Sequence, residues 1–180
     1  MISNKDGGVI WVTGLPGAGK TTIGLEIVSI LRKERKIKPI FLDGDLLRAG
    51  VNSDLGFGSA DRFENARRVS ELCKFLSTQN QIVICCTVSL YPEILKSNYK
   101  NIKNFNLVYL EVSSDILLSQ NKKTYDYLKG KKSISSDKII DDYLIKNKYI
   151  LPSKTDFTFK NNRKIEPSML AIRILNEIME

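Results

Sequence analysis

Histidine is absent from the 180-residue chain, and cysteine occurs only at Cys73, Cys85 and Cys86. Without histidine, Ser-His-Asp and Cys-His nucleophilic mechanisms and histidine-based metal sites are excluded. Any general base therefore has to be Asp, Glu, Lys or Tyr. The cysteines are odd in number and form no C-x-x-C pair, and two of them lie in an apolar run. We expect buried free thiols rather than a structural zinc site.

Long apolar runs are also missing. No run approaches the roughly 20 residues that a membrane-spanning helix needs, and residues 1–8 lack the apolar core of a signal peptide. The sequence therefore predicts no membrane association and a cytoplasmic location. Hydrophobic residues make up 42% of the chain and charged residues 27%, which is ordinary for a globular protein. With no internal repeat or linker, we expect one domain over residues 1–180.

Positive charge is in excess, with a formal net charge of +8. Such an excess is a feature of nucleic-acid-binding proteins, but no RNA- or DNA-binding module motif is present. A positive field around the site is equally expected of an enzyme that handles anionic nucleotides. We predict a small-molecule nucleotide partner and no nucleic acid.

Residues 14–21 read G-x-x-x-x-G-K-T, the phosphate-binding loop, between an apolar strand-like run at 9–13 and helical spacing at 22–31. In this strand–loop–helix context, backbone N–H groups and the helix start bind phosphate. A Gly-rich turn that binds nothing is the alternative, which the context disfavours. Lys20 is predicted to reach the β/γ-phosphates of ATP, and the Thr21 hydroxyl to hold Mg²⁺. The predicted ATP-binding residues are Gly14, Leu15, Pro16, Gly17, Ala18, Gly19, Lys20, Thr21 and Thr22.

An acidic turn, Asp43-Gly44-Asp45, follows a predicted short buried strand at residues 39–42. Carboxylates at the carboxyl end of a parallel strand face the ligand crevice of an open α/β sheet. A D-G pair also marks a plain turn, and this alternative stays open. Because phosphoryl transfer needs acidic groups for Mg²⁺ and for the nucleophile, we expect this acidic turn to supply them beside Lys20 and Thr21.

Strand and helix patterns alternate along the remaining chain. The alternation predicts an α/β fold of the P-loop NTPase type, an open parallel sheet of about five strands flanked by helices. A helix is expected from Ser59 to about Gln79, with Ser59 as its N-cap. Residues 119–150 show a weak, lysine-rich pattern, which is typical of a basic lid that closes over phosphates or of a solvated polar insertion.

Three ordered motifs, at residues 14–22, 42–48 and 52–68, resemble the adenylylsulfate kinase family. The resemblance implies transfer of the ATP γ-phosphoryl group to the ribose 3′-hydroxyl of adenylyl sulfate, giving 3′-phosphoadenylyl sulfate, and it suggests a homodimer. Asp45 would lie at the acceptor hydroxyl and the metal, and Phe57 would stack on the acceptor base. The acceptor-binding residues that the resemblance implies are Asp43, Arg48, Phe57, Arg62, Asn65, Ser89 and Lys122.

The second half departs from the family pattern. Residues 119–125 lack the expected arginine, and no second stacking aromatic occurs around 133–135. The T-V-S-x-x-x-E-I run at 87–94 looks closer to kinases of capsule-sugar pathways whose acceptor is cytidine diphosphoramidate. That acceptor is therefore an alternative to adenylyl sulfate. A non-catalytic nucleotide-binding regulatory protein is the alternative of another class, against which the presence of Lys20 and Asp45 counts.

Overall fold

A computed structural model of the chain describes residues 7–128, 135–153 and 155–179, apart from the side chains of Lys122 and Tyr127. Its centre is a sheet in which every neighbouring pair of strands is parallel, in the order β2-β3-β1-β4-β5. The strands are β1 (Gly8–Thr13), β2 (Ile40–Asp43), β3 (Ile82–Cys86), β4 (Phe105–Glu111) and β5 (Phe157–Lys160). The predicted fold class, an open parallel sheet of five strands, is confirmed.

Helices connect the strands and cover the sheet. They are α1 (Lys20–Lys33), α2 (Gly44–Ala49), α3 (Ser59–Thr78), α4 (Pro92–Asn101), α5 (Ser114–Gln120), α6 (Lys122–Tyr125), α7 (Ser136–Asn147) and α8 (Pro167–Met179), with a 3₁₀ turn at Asp126–Leu128. Within the described ranges, none of these helices has the length and apolar character needed to cross a bilayer.

Strand β1 shows how both faces of the sheet are covered. All six of its residues are buried, and alternate side chains point to opposite faces. Val9 and Trp11 pack into a cluster with residues of α3 and α4, whereas Ile10 and Val12 pack into a cluster with residues of α1 and α8. Burial on both faces explains the continuous apolar runs of the strands.

Two expectations need revision. Helix α3 begins at Ser59, but its N-cap is Gly58, so Ser59 is not the cap. Residues 119–150 contain more regular structure than their composition indicates, because α7 is a 12-residue helix whose Ser135 N-cap accepts from the Lys138 N–H at 3.3 Å. Tyr125 and Tyr143 of this segment are at most 1% exposed and belong to the core.

Part of the predicted lid cannot be compared in this way. Lys129, Lys131 and Lys132, like the 133–134 stretch where a second stacking aromatic was expected, lie outside the described residues. The closing lid therefore stays a prediction. The three cysteines, by contrast, are buried and free, as predicted.

The carboxyl ends of three adjacent strands position the candidate site. The phosphate loop follows β1, Asp43 ends β2, and residues 87–89 follow β3. Since these strands are parallel neighbours, the three segments meet at one edge of the sheet.

Candidate active site

The phosphate loop has left-handed backbone conformations that only glycine adopts readily. Gly17 and Gly19 have φ values of +89° and +87°, and Gly19 is the N-cap of α1. A Cβ on Gly19 would lie 2.8 Å from Nδ2 of Asn161, so a larger residue would displace this side chain. The loop conformation thus depends on the glycines that define the motif.

Three residues from distant parts of the chain hold the loop carbonyls. The Tyr125 hydroxyl donates to Pro16 O at 2.9 Å, Arg163 Nη2 to Gly17 O at 3.1 Å, and Asn161 Nδ2 to Ala18 O at 2.9 Å. In a trans peptide the carbonyl and the next N–H point in opposite directions. The N–H groups of Gly17 and Gly19 therefore point away from Tyr125 and Asn161.

Lys20 is half-buried at the start of α1. Its Nζ donates to Leu15 O at 3.1 Å. Burial lowers the pKa of Lys20 from its usual value, and the negative charge of Asp45 is the largest influence that opposes this shift. A partly desolvated ammonium beside carboxylates binds phosphate more strongly than one in water, because the local dielectric is low.

Cys86 lies beside Lys20, but its thiol is not ionised. Its thiol donates to Lys20 O at 3.2 Å. Burial raises the pKa of Cys86 to about 12, so the sulfur stays protonated and is not a nucleophile.

The two carboxylates of the acidic turn have different surroundings. Asp43 is 7% exposed, and its Oδ2 accepts from the Thr21 hydroxyl at 2.7 Å. Its Oδ1 accepts from the backbone N–H groups of Asp45 and Leu46 at 2.9 and 3.2 Å, which makes Asp43 the N-cap of α2. Asp45, in the first turn of α2, is exposed to the cleft. Asp43 is thus committed to holding Thr21 and α2, whereas Asp45 faces the space where ligands bind.

A magnesium site would use few protein ligands here. No group of three or more Cys, Asp or Glu side chains that could hold a metal occurs in the part of the chain that the structure describes. Mg²⁺ in kinase sites takes one or two protein oxygens and completes its shell with phosphate oxygens and water. Thr21 supplies such an oxygen in the phosphate loop while its hydroxyl donates to Asp43, and Asp45 lines the same cleft.

Two arginines and one exposed phenylalanine form the opposite end of the cleft, which we call the arginine clamp (Arg48, Arg62 and Phe57). The guanidinium carbons of Arg48 and Arg62 lie 5.2 and 5.6 Å from the centre of the Phe57 ring, which is 71% exposed. Arg62 Nε donates to Phe57 O at 3.0 Å, and Arg48 donates to Gly56 O. Burial, and then the charge of Arg62, lower the pKa of Arg48. Two neighbouring cations in one cleft are suited to a multiply charged anion.

Asn65 and Ser89 are buried beside the clamp. Asn65 is 5% exposed, and its Oδ1 accepts from Asn52 Nδ2 at 2.9 Å. Ser89 is 4% exposed and shares a 2.8 Å hydrogen bond with the Thr87 hydroxyl. Its φ of +29° is unusual for a residue other than glycine, a kind of backbone strain that is concentrated at functional sites.

The structure brings most of the predicted residues to one cleft of about 680 Å³. Gly14, Leu15 and Ala18 do not line it, and the latter two are at most 4% exposed, inside the loop. Lys122 begins α6, and its side chain lies outside the described set. The predicted residues that line the cleft are Pro16, Gly17, Gly19, Lys20, Thr21, Thr22, Asp43, Asp45, Arg48, Phe57, Arg62, Asn65 and Ser89.

Tyr149 completes the cleft wall and was not predicted from the sequence. It is 7% exposed, its ring lies 5.1 Å from that of Tyr91 and 6.0 Å from that of Tyr143, and it hydrogen-bonds to Arg62. Burial raises the pKa of Tyr149, so its hydroxyl stays neutral beside the arginine. Asn161 and Arg163 were also missed, because the loop carbonyls that they contact are distant in sequence. Asn52 was missed because no sequence pattern marks it as the partner of Asn65.

Comparisons with known proteins agree with this geometry. The family model of adenylylsulphate kinase matches residues 6–157. An adenylyl-sulfate kinase from Penicillium chrysogenum is 42% identical over 90 residues, which cover 50% of this chain and 43% of that protein. A cytidine diphosphoramidate kinase from Campylobacter jejuni is 36% identical over 115 residues, which cover 64% of this chain and 66% of that protein. The chain thus spans about two fifths to two thirds of the length of these curated relatives.

The structural comparison covers nearly the whole chain. The APS kinase CysC of Mycobacterium tuberculosis, solved in complex with AMPPNP and APS, superposes with a TM-score of 0.76 at 26% identity, over 97% of this chain and 99% of that one. Family model and superposition agree with the resemblance that the three motifs indicate. The chain belongs to the adenylylsulfate kinase family.

Proposed function

We propose that the protein transfers the γ-phosphoryl group of ATP to the ribose 3′-hydroxyl of an activated nucleotide, with adenylyl sulfate as the acceptor. The observation that supports this most is that Asp45 lines one cleft together with Lys20 and Arg48. Its charge acts on Lys20 of the phosphate loop and on Arg48 of the arginine clamp. A carboxylate at this junction is suited to orient an acceptor hydroxyl toward a bound triphosphate.

The donor end binds the triphosphate through backbone and charge. The phosphate-loop N–H groups and the start of α1 bind the phosphates, and Lys20 exchanges its contact with Leu15 O for a phosphate oxygen. Thr21, whose hydroxyl donates to Asp43, would bind Mg²⁺, which would neutralise charge on the phosphates.

The chemical step requires little beyond positioning. The ribose oxygen forms a bond to the γ-phosphorus while the bond to the β–γ bridging oxygen breaks, and ADP leaves. Asp45 accepts the proton of the ribose hydroxyl, a role that no histidine is present to fill. Lys20 stabilises the charge that develops on the transferred group.

The acceptor end binds an anion and a base. Arg48, Arg62 and Asn65 are proposed to hold the phosphate and sulfate groups of adenylyl sulfate, and the exposed Phe57 ring to stack on the base. Tyr149 hydrogen-bonds to Arg62 and so holds this arginine of the clamp in place.

Cytidine diphosphoramidate is a second candidate acceptor. The observation that favours it is the Campylobacter jejuni relative, which matches the chain over 66% of its own length, a larger share than the Penicillium protein. A phosphoramidate in place of a sulfate leaves the same oxyanion contacts for the clamp. The homodimer, the cytoplasmic location and the single domain over residues 1–180 stay predictions.

The proposal is tested by measuring ADP formation from ATP, with Mg²⁺ present, in the presence of each acceptor. We expect turnover with adenylyl sulfate at a higher kcat/KM than with cytidine diphosphoramidate. Lys20→Ala is the matched control, and its kcat/KM for ATP should be lower by about two to three orders of magnitude. The opposite ranking would assign the second acceptor. If neither acceptor gave ADP formation, both assignments would be overturned and a non-catalytic nucleotide-binding protein would be favoured.

A further inference from the structure

We infer that Asn52 is a positioning residue that fixes the orientation of the Asn65 side-chain amide, so that Asn65 donates a hydrogen bond to an anionic oxygen of the acceptor. The inference rests on the proposed function, because it concerns how the same cleft recognises its acceptor.

The observation is a buried pair of amides. Asn52 Nδ2 donates to Asn65 Oδ1 at 2.9 Å, and both residues are 5% exposed. A side-chain amide has one accepting end and one donating end, so using the oxygen determines what the other end offers. With its oxygen bonded to Asn52, Asn65 retains its NH₂ group for the cleft that it lines.

Asn52 is held in place independently of any ligand. Its backbone N–H donates to Leu47 O at 2.9 Å, and its carbonyl accepts from the Leu55 N–H at 3.1 Å. The next turn of the same loop is tied to α3, because Arg68 forms two hydrogen bonds with the Asp54 carboxylate at 2.7 and 2.8 Å. The loop therefore presents the Asn52 amide to Asn65 from a fixed backbone.

The orientation matters because of what surrounds Asn65. Arg62 lies one helical turn earlier on α3, and Arg48 lines the same cleft. Guanidinium groups only donate, so an Asn65 that also donates makes a set of donors that complements an oxyanion. The acceptor accordingly places an oxygen at Asn65, and an acceptor with an N–H group at this point loses a hydrogen bond.

Asn52→Asp tests the orientation with almost no change in size. A carboxylate accepts only, so Asn65 would have to turn its NH₂ toward residue 52 and present its oxygen to the acceptor. We expect the KM for adenylyl sulfate to rise about 10- to 100-fold, which is the scale of a lost hydrogen bond to a charged group. The KM for ATP should change less than about twofold. If Asn65 instead donated to Asn52, the variant would keep the wild-type KM, and the inference would be wrong.

A negative charge at residue 52 also repels an anionic acceptor, and a second background separates this effect. In Asn65→Ala, where no amide can turn, Asn52→Asp should add less than about threefold to the acceptor KM. An equal increase in both backgrounds would overturn the inference in favour of simple repulsion.

Asp54→Asn is the matched control for loosening of the loop. It weakens the tie to Arg68 without touching Asn65, so we expect its acceptor KM to stay within about threefold of wild type. If Asp54→Asn and Asn52→Asp raised the acceptor KM alike, and lowered the melting temperature alike, Asn52 would be a structural residue only.

The outcomes also separate this inference from the proposed function. Wild-type turnover together with a silent Asn52→Asp would overturn the inference alone. No turnover of any acceptor by the wild-type protein would overturn the proposed function, and the inference with it.

Discussion

The two ends of the cleft are built in different ways. At the phosphate loop, the hydrogen bonds from Tyr125, Asn161 and Arg163 join residues that are 109, 143 and 146 positions apart in the chain. At the arginine clamp and beside it, the bonds of Arg62 to Phe57, Arg48 to Gly56 and Asn52 to Asn65 span 5, 8 and 13 positions. The bond between Arg62 and Tyr149 is a long-range contact at this end. The loop backbone at the donor end is thus held by residues distant in the chain, whereas most of the side-chain contacts at the acceptor end are local.

This difference separates the general part of the function from the specific part. Backbone N–H groups and a helix start bind the phosphates of any nucleoside triphosphate. The clamp side chains Arg48, Phe57 and Arg62 lie outside the buried core of the sheet, and in the proposed function they bind the acceptor. Substitutions at the two ends should therefore affect different kinetic parameters.

The largest effect is expected at the junction. Asp45→Asn should lower kcat by about two to four orders of magnitude, because the amide cannot accept the proton of the ribose hydroxyl. The KM values for ATP and for the acceptor should change far less. Steady-state kinetics measures this, and a kcat within about threefold of wild type would remove Asp45 from the chemistry.

The next effect is expected at the donor end. Lys20→Ala should lower kcat/KM for ATP by about two to three orders of magnitude, the cost of one preorganised charged donor to the transferred group. Binding of the acceptor alone, measured by calorimetry, should be unchanged. A variant that lost acceptor binding as strongly as ATP turnover would contradict the separation of the two ends.

A smaller effect is expected at the acceptor end. Phe57→Ala should weaken acceptor binding by about 1–3 kcal/mol, the scale of base–aromatic stacking. Phe75 on α3 is 61% exposed and does not line the cleft, so Phe75→Ala is the matched control. If Phe57→Ala affected only the KM for ATP, the ring would belong to the donor end.

The smallest effect concerns the charges that brace the acceptor end. Hydrogen bonds from Arg67 and then Arg68 lower the pKa of Glu64 from its usual value to about 2. Because this pKa is depressed, ionised Glu64 stabilises the folded protein at pH values above the usual pKa of 4.5. The stabilisation is lost as the pH falls toward about 2. Glu64→Gln should therefore lower the melting temperature slightly at pH 7, and the difference should shrink between pH 4 and pH 3. A difference that is independent of pH would show that the Glu64 charge contributes nothing.

The part of the site that could be predicted from the sequence also differs between local and long-range contacts. The motifs at 42–48 and 52–68 contain all three residues of the arginine clamp, so the family resemblance identified Arg48, Phe57 and Arg62 as a set. Tyr149 and Asn161 could not be identified in this way, because their partners in space are Arg62 and Ala18, which are 87 and 143 positions away. The composition of residues 119–150 also hid the burial of Tyr125 and Tyr143, because lysines on one side of a helix obscure its apolar face.

Transfer of label from γ-labelled ATP to adenylyl sulfate tests the central claim most directly, with the position of the label established on the isolated product. We predict labelled product that carries the phosphoryl group on the ribose 3′-oxygen, at a rate that falls at least about 100-fold in Asp45→Asn. Label on another oxygen, or no transfer by the wild-type protein, would contradict the assignment of one cleft to both nucleotides.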